Sequence, residues 1–129
     1  RGEGYIMSKR ILIIDDERDL CQLLEMVLLR ESFLVDCVHN LTDAGQKLLL
    51  HPLIIFLDNN LPDGSGIDYY HEHHKEFITS SVILITADGH PSLKLRALDE
   101  GIDIFIEKPF SVKAIKEIVK DICQRKELS

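Results

Sequence analysis

The chain has 129 residues, 45% of them hydrophobic and 29% charged, which is the length of one ordinary domain with enough apolar material for a core. That balance excludes two full domains, a disordered chain and a fibrous repeat. The 22 acidic residues outnumber 15 Lys and Arg, and the net charge of −7 argues against a broad nucleic-acid or anionic-lipid surface and for a cationic partner or ion.

In chain order, Arg1 to Ile6 has no periodicity. Residues 1–7 read as an expression remnant or disordered tail, with Met7 as the natural start. Ile11-Leu12-Ile13-Ile14 is an apolar run of strand length, and Leu20, Leu23, Leu24, Val27 and Leu28 then fall on the i, i+3, i+4, i+7, i+8 spacing of an amphipathic helix. Strand-length runs recur at Leu34 to Val38, Leu53 to Leu57, Val82 to Ile85 and Ile102 to Ile106. Between them, Leu41 to Leu50 and Ile67 to Phe77 read as helices. Pro91 to Glu100 reads as a helix with a blurred apolar face and hence weak docking. Ile115, Ile118, Val119, Ile122 and Cys123 repeat the helical spacing near the C-terminus, and residues 127–129 read as a tail or the start of a linker.

Cys21, Cys37 and Cys123 are too far apart for a CxxC pair and sit among apolar residues, so they read as buried thiols in a reducing compartment. The chain has no apolar run of about 18 residues and no secretory leader, so membrane insertion is not expected and the cytoplasm is the default.

Five strands alternating with five helices imply an α/β fold: a doubly wound parallel sheet with helices on both faces. Runs one, three and four are wholly apolar, as strands buried on both faces should be, whereas Asp36 and Asp103 interrupt runs two and five. Two and five are therefore the edges, and the flavodoxin-like order 2-1-3-4-5 meets that requirement. It places ligand chemistry beyond the carboxyl ends of strands one and three.

Asp15, Asp16 and Glu17 follow run one, Asp58 follows run three, Thr86 follows run four, and Lys108 and Pro109 follow run five. Neighbouring strands lie about 4.8 Å apart, so Asp15 and Asp16 should crowd Asp58. A hard, all-oxygen ligand set of this kind suits Mg²⁺, with Mn²⁺ as the alternative. Three carboxylates and one lysine leave two negative charges that one divalent ion cancels, so the pocket can accept a phosphoryl group. Asp58 is then a carboxylate nucleophile and Thr86 a donor to phosphoryl oxygen. Taken singly, Asp15 or Asp16 reads as a helix N-cap, Asp58 as the start of a turn, Thr86 as a cap and Lys108 as a solvated strand end. Those readings give no reason for one sheet edge to collect this complementary set.

Asp15-Asp16 after an apolar strand, Asp58 with Asn60-Leu61-Pro62-Asp63-Gly64, Thr86-Ala87 and Lys108-Pro109-Phe110 resemble the receiver domain of two-component response regulators. The resemblance spans Lys9 to about Gln124, and residues 8–126 are assigned to the domain. It implies that Asp58 accepts a phosphoryl group from a sensor histidine kinase or a histidine phosphotransfer protein. Mg²⁺ would be held directly by Asp16, Asp58 and the backbone carbonyl of Asn60, and by Asp15 mainly through water. Lys108 would pair with the carboxylate and then the phosphoryl group, across a Lys108–Pro109 bond that is cis. Thr86 and Phe105 would form a switch read on the surface of helix four, strand five and helix five. A downstream output domain or protein and a phosphorylation-dependent homodimer are implied too. Ile104 after Asp103 departs from the paired acidic residues of the family's winged-helix members. Asn60 and Asp88 fall at positions that in the family influence water attack on the acyl phosphate, which implies a tuning role for Asp88.

Other readings are a phosphatase with Asp15 as nucleophile and Glu17 as its acid, a degenerate receiver that only docks, and an FMN-binding flavodoxin. The first leaves Asp58 unexplained, the second is at odds with a complete acceptor set, and the third lacks a glycine- or hydroxyl-rich first loop. The receiver reading implies self-catalysed phosphoryl transfer, not a turnover enzyme. His71, His73 and His74 have poor spacing for one metal site; His71 and His74 fall on the apolar face of helix three and read as partly packed.

Overall fold

The computed structural model describes residues 9–102 and 104–128. Five parallel strands, β1 (Arg10–Ile14), β2 (Leu34–Val38), β3 (Ile54–Asp58), β4 (Ser81–Thr86) and β5 (Ile104–Glu107), form one sheet. Their order is β2-β1-β3-β4-β5, as the apolar and interrupted runs require. Asp36 lies on the edge strand β2, where Arg10 and Lys47 reach its carboxylate at 3.5 and 3.4 Å. Asp103, the residue used to place the other edge, lies outside the described residues.

Helices α1 (Arg18–Arg30) and α5 (Val112–Leu128) cover one face of the sheet; α2 (Leu41–Leu48), α3 (Gly66–Glu72) and α4 (Pro91–Glu100) cover the other. Side chains alternate across a strand. Ile11 and Ile13 therefore pack with Leu24, Leu28, Ile115 and Val119 on the first face, while Leu12 and Ile14 meet Leu41, Ala44, Ile67 and Ala97 on the second. The central strands are apolar on both sides because both sides are covered.

The local signals explain most boundaries. Asn40 caps α2 by accepting Asp43 N–H at 2.7 Å, Ser65 caps α3 through Asp68 N–H, and Ser111 accepts Ala114 N–H as α5 begins. Helix α4 has Pro91 at its start and ends on Gly101 at φ 98°, a left-handed cap that suits glycine.

Four expectations need correction. The third helix is not continuous to Phe77: α3 stops at Glu72, His73 leaves helical geometry at φ −115° and ψ 31°, and a 3-10 turn spans His74–Phe77. The tighter turn swings Phe77 into the core, where it is 2% exposed. The change of phase leaves His71 and His74 exposed and His73 half-buried and stacked on Tyr69 with centroids 3.9 Å apart. Helix α2 ends at Leu48, leaving Leu49 and Leu50 exposed. Only Cys21 is buried, since Cys37 and Cys123 are half-buried. Helix α5 itself runs on through residues 127 and 128.

The adjacent leucines of α1 offer a direct check on this packing. Leu24 is fully buried and Leu23 is 43% exposed. Leu24→Ala should cost about 3 kcal/mol in urea unfolding through the cavity it leaves, and Leu23→Ala less than about 0.5 kcal/mol.

Candidate functional site

The carboxyl ends of β1, β3, β4 and β5 meet at one edge, each contributing the residue expected there. Asp15 immediately follows β1, Asp58 and Thr86 are the last residues of β3 and β4, and Lys108 follows β5. Asp15, Asp58 and Thr86 are buried, whereas Asp16 is exposed at the rim. Oxygens of Asp15, Asp16 and Asp58 all lie within 4.8 Å of one another.

Lys108 lies two strands from Asp58, yet its Nζ sits 3.0 Å from Asp15 Oδ2 and 3.5 Å from Asp58 Oδ2. It also contacts Glu17. Burial pulls the Lys108 pKa down, but Glu17, Asp15 and Asp58 outweigh it and hold the ammonium well above its ordinary range. The expected balance of three carboxylates against one ammonium omitted Glu17. With it, four carboxylates face one lysine.

That excess is felt most at Asp58. Burial pushes its carboxyl up to about 6, and Asp15 adds to the rise, against the Asn60 N–H that donates to Oδ1 at 3.1 Å and the Lys108 ammonium. Asp15 Oδ2 is buried without a hydrogen-bond partner, and the Lys108 ammonium at 3.0 Å is the cation beside it. An orphaned buried oxygen, two further carboxylates within reach and an all-oxygen donor set fit a hard divalent cation.

The supporting shell is built from residues without obvious motif character. Asp15 accepts Glu17 N–H at Oδ1, while its backbone carbonyl receives the Cys21 thiol at 3.3 Å and contacts His39 Nδ1 at 2.9 Å. The Cys21 pKa is driven upward by Cys37 and by burial, which keeps the thiol protonated and able to donate. Behind Asp58, a Cβ on Gly66 would lie 2.3 Å from the Asp58 carbonyl oxygen, so only glycine lets the loop close. The loop between them carries a two-stranded hairpin, Asn60–Leu61 with Gly64–Ser65. Asn59 Oδ1 accepts from Ser65 Oγ and Ile67 N–H, and Asp63 accepts from Leu41 N–H, Thr42 N–H and the Thr42 hydroxyl. Sequence reasoning missed Gly66, Glu17 as the lysine's partner, and His39; the run Asp63-Gly64-Ser65-Gly66 was the available signal for the first.

Thr86 Oγ1 lies 3.3 Å from Asn60 Oδ1 and accepts Asp88 N–H at 3.0 Å. Asp88 turns its carboxylate back onto His90 N–H, and Phe105 is half-buried near the α4 side of the sheet. The Lys108–Pro109 peptide bond is cis. His71, His73 and His74 lie away from this cluster: His71 Nδ1 pairs with Glu100 at 2.9 Å, and His73 Nδ1 meets the Tyr69 carbonyl.

A doubly wound domain with an acidic strand-end pocket and one inserted lysine is the class this geometry defines. The family model for the response regulator receiver domain matches residues 11–120, and the chain belongs to that family. Among curated relatives, the phosphate regulon regulator PhoB of Escherichia coli is 32% identical over 122 residues, covering 92% of this chain and 53% of PhoB. ArlR of Staphylococcus aureus is 32% identical over 117 residues, covering 90% of this chain and 53% of ArlR. The chain thus spans about half the length of the curated relatives it matches. The receiver domain of a putative LuxO repressor from Vibrio parahaemolyticus superposes with a TM-score of 0.85 at 30% identity, over 95% of each chain. The beryllofluoride-activated NtrC4 receiver domain dimer gives 0.83 at 31%, over 91% of this chain and 98% of that one. Among the described residues, no helix is long and apolar enough to cross a membrane.

The burial of Asp58, with Asp15 beside it, has a consequence for stability. Its folded-state pKa of about 6 lies above the ordinary 3.8, so its favourable contribution is complete below pH about 4 and is lost as pH rises through about 6. In EDTA at pH 8, Asp58→Asn should therefore be more stable than the parent by roughly 2–3 kcal/mol, a gain that vanishes near pH 4 and shrinks when Mg²⁺ is added. Parallel stability–pH curves for the two proteins would contradict the raised Asp58 pKa.

Proposed function

We propose that this domain accepts a phosphoryl group on Asp58 from a phosphohistidine of a sensor histidine kinase or histidine phosphotransfer protein. The observation that supports this most directly is the convergence of Asp15, Asp16 and Asp58 oxygens within 4.8 Å around the reach of a single lysine. A carboxylate oxygen of Asp58 attacks phosphorus, the P–N bond breaks, and the departing imidazole keeps the bond's electrons and takes a proton from solvent. The product is an acyl phosphate on Asp58.

Each side chain has a part in that transfer. Asp58 is ionised at neutral pH because its pKa of about 6, though raised, remains below 7. Lys108 shifts from the carboxylates to the arriving phosphoryl oxygens, a move of one long side chain already within 3.5 Å of Asp58. Asp15, Asp16, Asp58 and the Asn60 carbonyl would hold Mg²⁺, which supplies positive charge against the incoming anion. The Thr86 hydroxyl, now near Asn60, turns to donate to a phosphoryl oxygen.

The acyl phosphate carries about −2 charge in place of one carboxylate charge. Thr86 moving toward it vacates space beside Phe105, and the face formed by α4, β5 and α5 reports the change to an output domain or protein. The NtrC4 receiver was solved as a dimer in its beryllofluoride-activated form, which supports a phosphorylation-dependent homodimer of this chain. Direct nucleic-acid contact by this domain is disfavoured by its charge of −7. Asp88 tunes the lifetime of the acyl phosphate from the end of β4.

The phosphatase alternative places the nucleophile on Asp15. Asp15 is fully buried and its would-be acid, Glu17, is held by Lys108, which leaves no free carboxylate pair for that chemistry.

Acetyl phosphate with Mg²⁺ should add one hydroxylamine-labile phosphoryl group, mapped by mass to Asp58. Labelling should be absent in Asp58→Ala and in EDTA, and slowed at least about 10²-fold in Lys108→Ala, the scale of losing one transition-state charge contact. Label on Asp15, or steady turnover of small phosphate esters, would support the phosphatase instead.

A further inference from the structure

One contact between α4 and β5 takes no part in the chemistry above. Lys94, on α4, places its Nζ 3.1 Å from Glu107 Oε1 and 5.5 Å from the centroid of the Phe105 ring. Phe105 and Glu107 are two residues apart on β5, so their side chains leave the same face of the strand and one ammonium can hold both. The Glu107 carboxylate in turn fills the space beside Gly89, where a Cβ would lie 2.1 Å from Glu107 Cδ. A single lysine therefore ties together the loop after β4, helix α4 and the two strand residues that precede Lys108.

Little else fixes α4 to β5. Ala97 is the one buried residue of the helix, and Leu95 and Leu98 are 64% and 59% exposed. Among the described residues, its other charged side chains that pair, Arg96 with Asp68 and Glu100 with His71, reach to α3.

Taking Thr86 and Phe105 as the switch pair, on which this rests, we propose that Lys94 is a positioning residue that latches Phe105 and the α4–β5 face in the arrangement described here. Phe105 leaves its position only by giving up the cation over its ring, and α4 shifts only by parting Lys94 from Glu107. Release of the latch therefore belongs to the response to phosphorylation, and it opposes phosphoryl binding. Both contacts are partly solvated, at 46% and 50% exposure for the paired Lys94 and Glu107 side chains, so the opposition is modest.

The test uses the full chain with Mg²⁺ and beryllofluoride, reading the dissociation constant from backbone amide shifts around Thr86. Lys94→Met keeps the apolar stem and removes the charge; it should bind beryllofluoride about three- to tenfold more tightly, and the Phe105 ring resonances should move in the unliganded protein. Lys94→Arg retains both contacts and should remain near the parent. Simple loss of a positive charge near an anion site predicts weaker binding, so the sign separates a latch from general electrostatics. Unchanged or weaker binding in Lys94→Met, or Lys94→Arg behaving like Lys94→Met, overturns the latch. A parent protein that does not bind beryllofluoride overturns the reading of Asp58 as well.

Discussion

The structure depends on one electrostatic constraint: like charges held together at the end of a sheet that cannot relax them apart. Asp15 follows and Asp58 ends adjacent central strands whose apolar residues are wholly buried, and pairing in register fixes the spacing. Moving either carboxylate into solvent would break the ladder or pull Ile14 or Leu57 out of the core, and fully burying one such side chain is worth about 1.5–3 kcal/mol. The apolar strands thus hold charges in a place they would not choose. Lys108 relieves part of the repulsion, and the buried oxygen of Asp15 without a hydrogen bond marks what is left.

Much of the surrounding detail follows from keeping that cluster rigid while leaving one side open. The backbone of Asp15 is held from behind by Cys21 and His39, and Asp58 is backed by Gly66 at a distance no side chain tolerates. Asn59 and Asp63 use their carboxamide and carboxylate to close the hairpin loop and cap α2. These bonds restrict the acidic groups to one geometry in advance, the preorganisation that the proposed phosphoryl transfer would require.

The fold was legible because two periods dominate the chain. Runs such as Ile54 to Leu57 admit only a strand covered on both faces, and the spacing of Leu20 to Leu28 admits only a helix with one apolar stripe. The site residues were legible because strand ends are where a period stops, and a charged residue there stands out. What stayed hidden depends on distance in space instead of pattern. Glu17 is next to Asp16 in sequence, but its pairing with Lys108 spans 91 positions. Gly66 reads as one more loop glycine until the Asp58 carbonyl is placed behind it. The third helix broke early because Phe77 gains more from the core than His73 loses by leaving the helix, a balance of tertiary packing over propensity that no local window contains.

The same contrast of tight and loose packing favours α4 as the responsive element of the proposed switch. On one face, α1 and α5 contribute Leu24, Leu28, Ile115, Val119 and Ile122 to a continuous core. On the other, α4 contributes Ala97 and a partly buried Leu93. On the proposed mechanism, a charge added at Asp58 would act against all surroundings alike, and the element with the least to lose would move. A helix fixed by one small buried residue and a few solvated ion pairs can be displaced by a change of a few kcal/mol, whereas shifting α5 would cost several buried aliphatic contacts at once. On that proposal the acidic pocket supplies the force, and the shortage of core under α4 decides where it is felt.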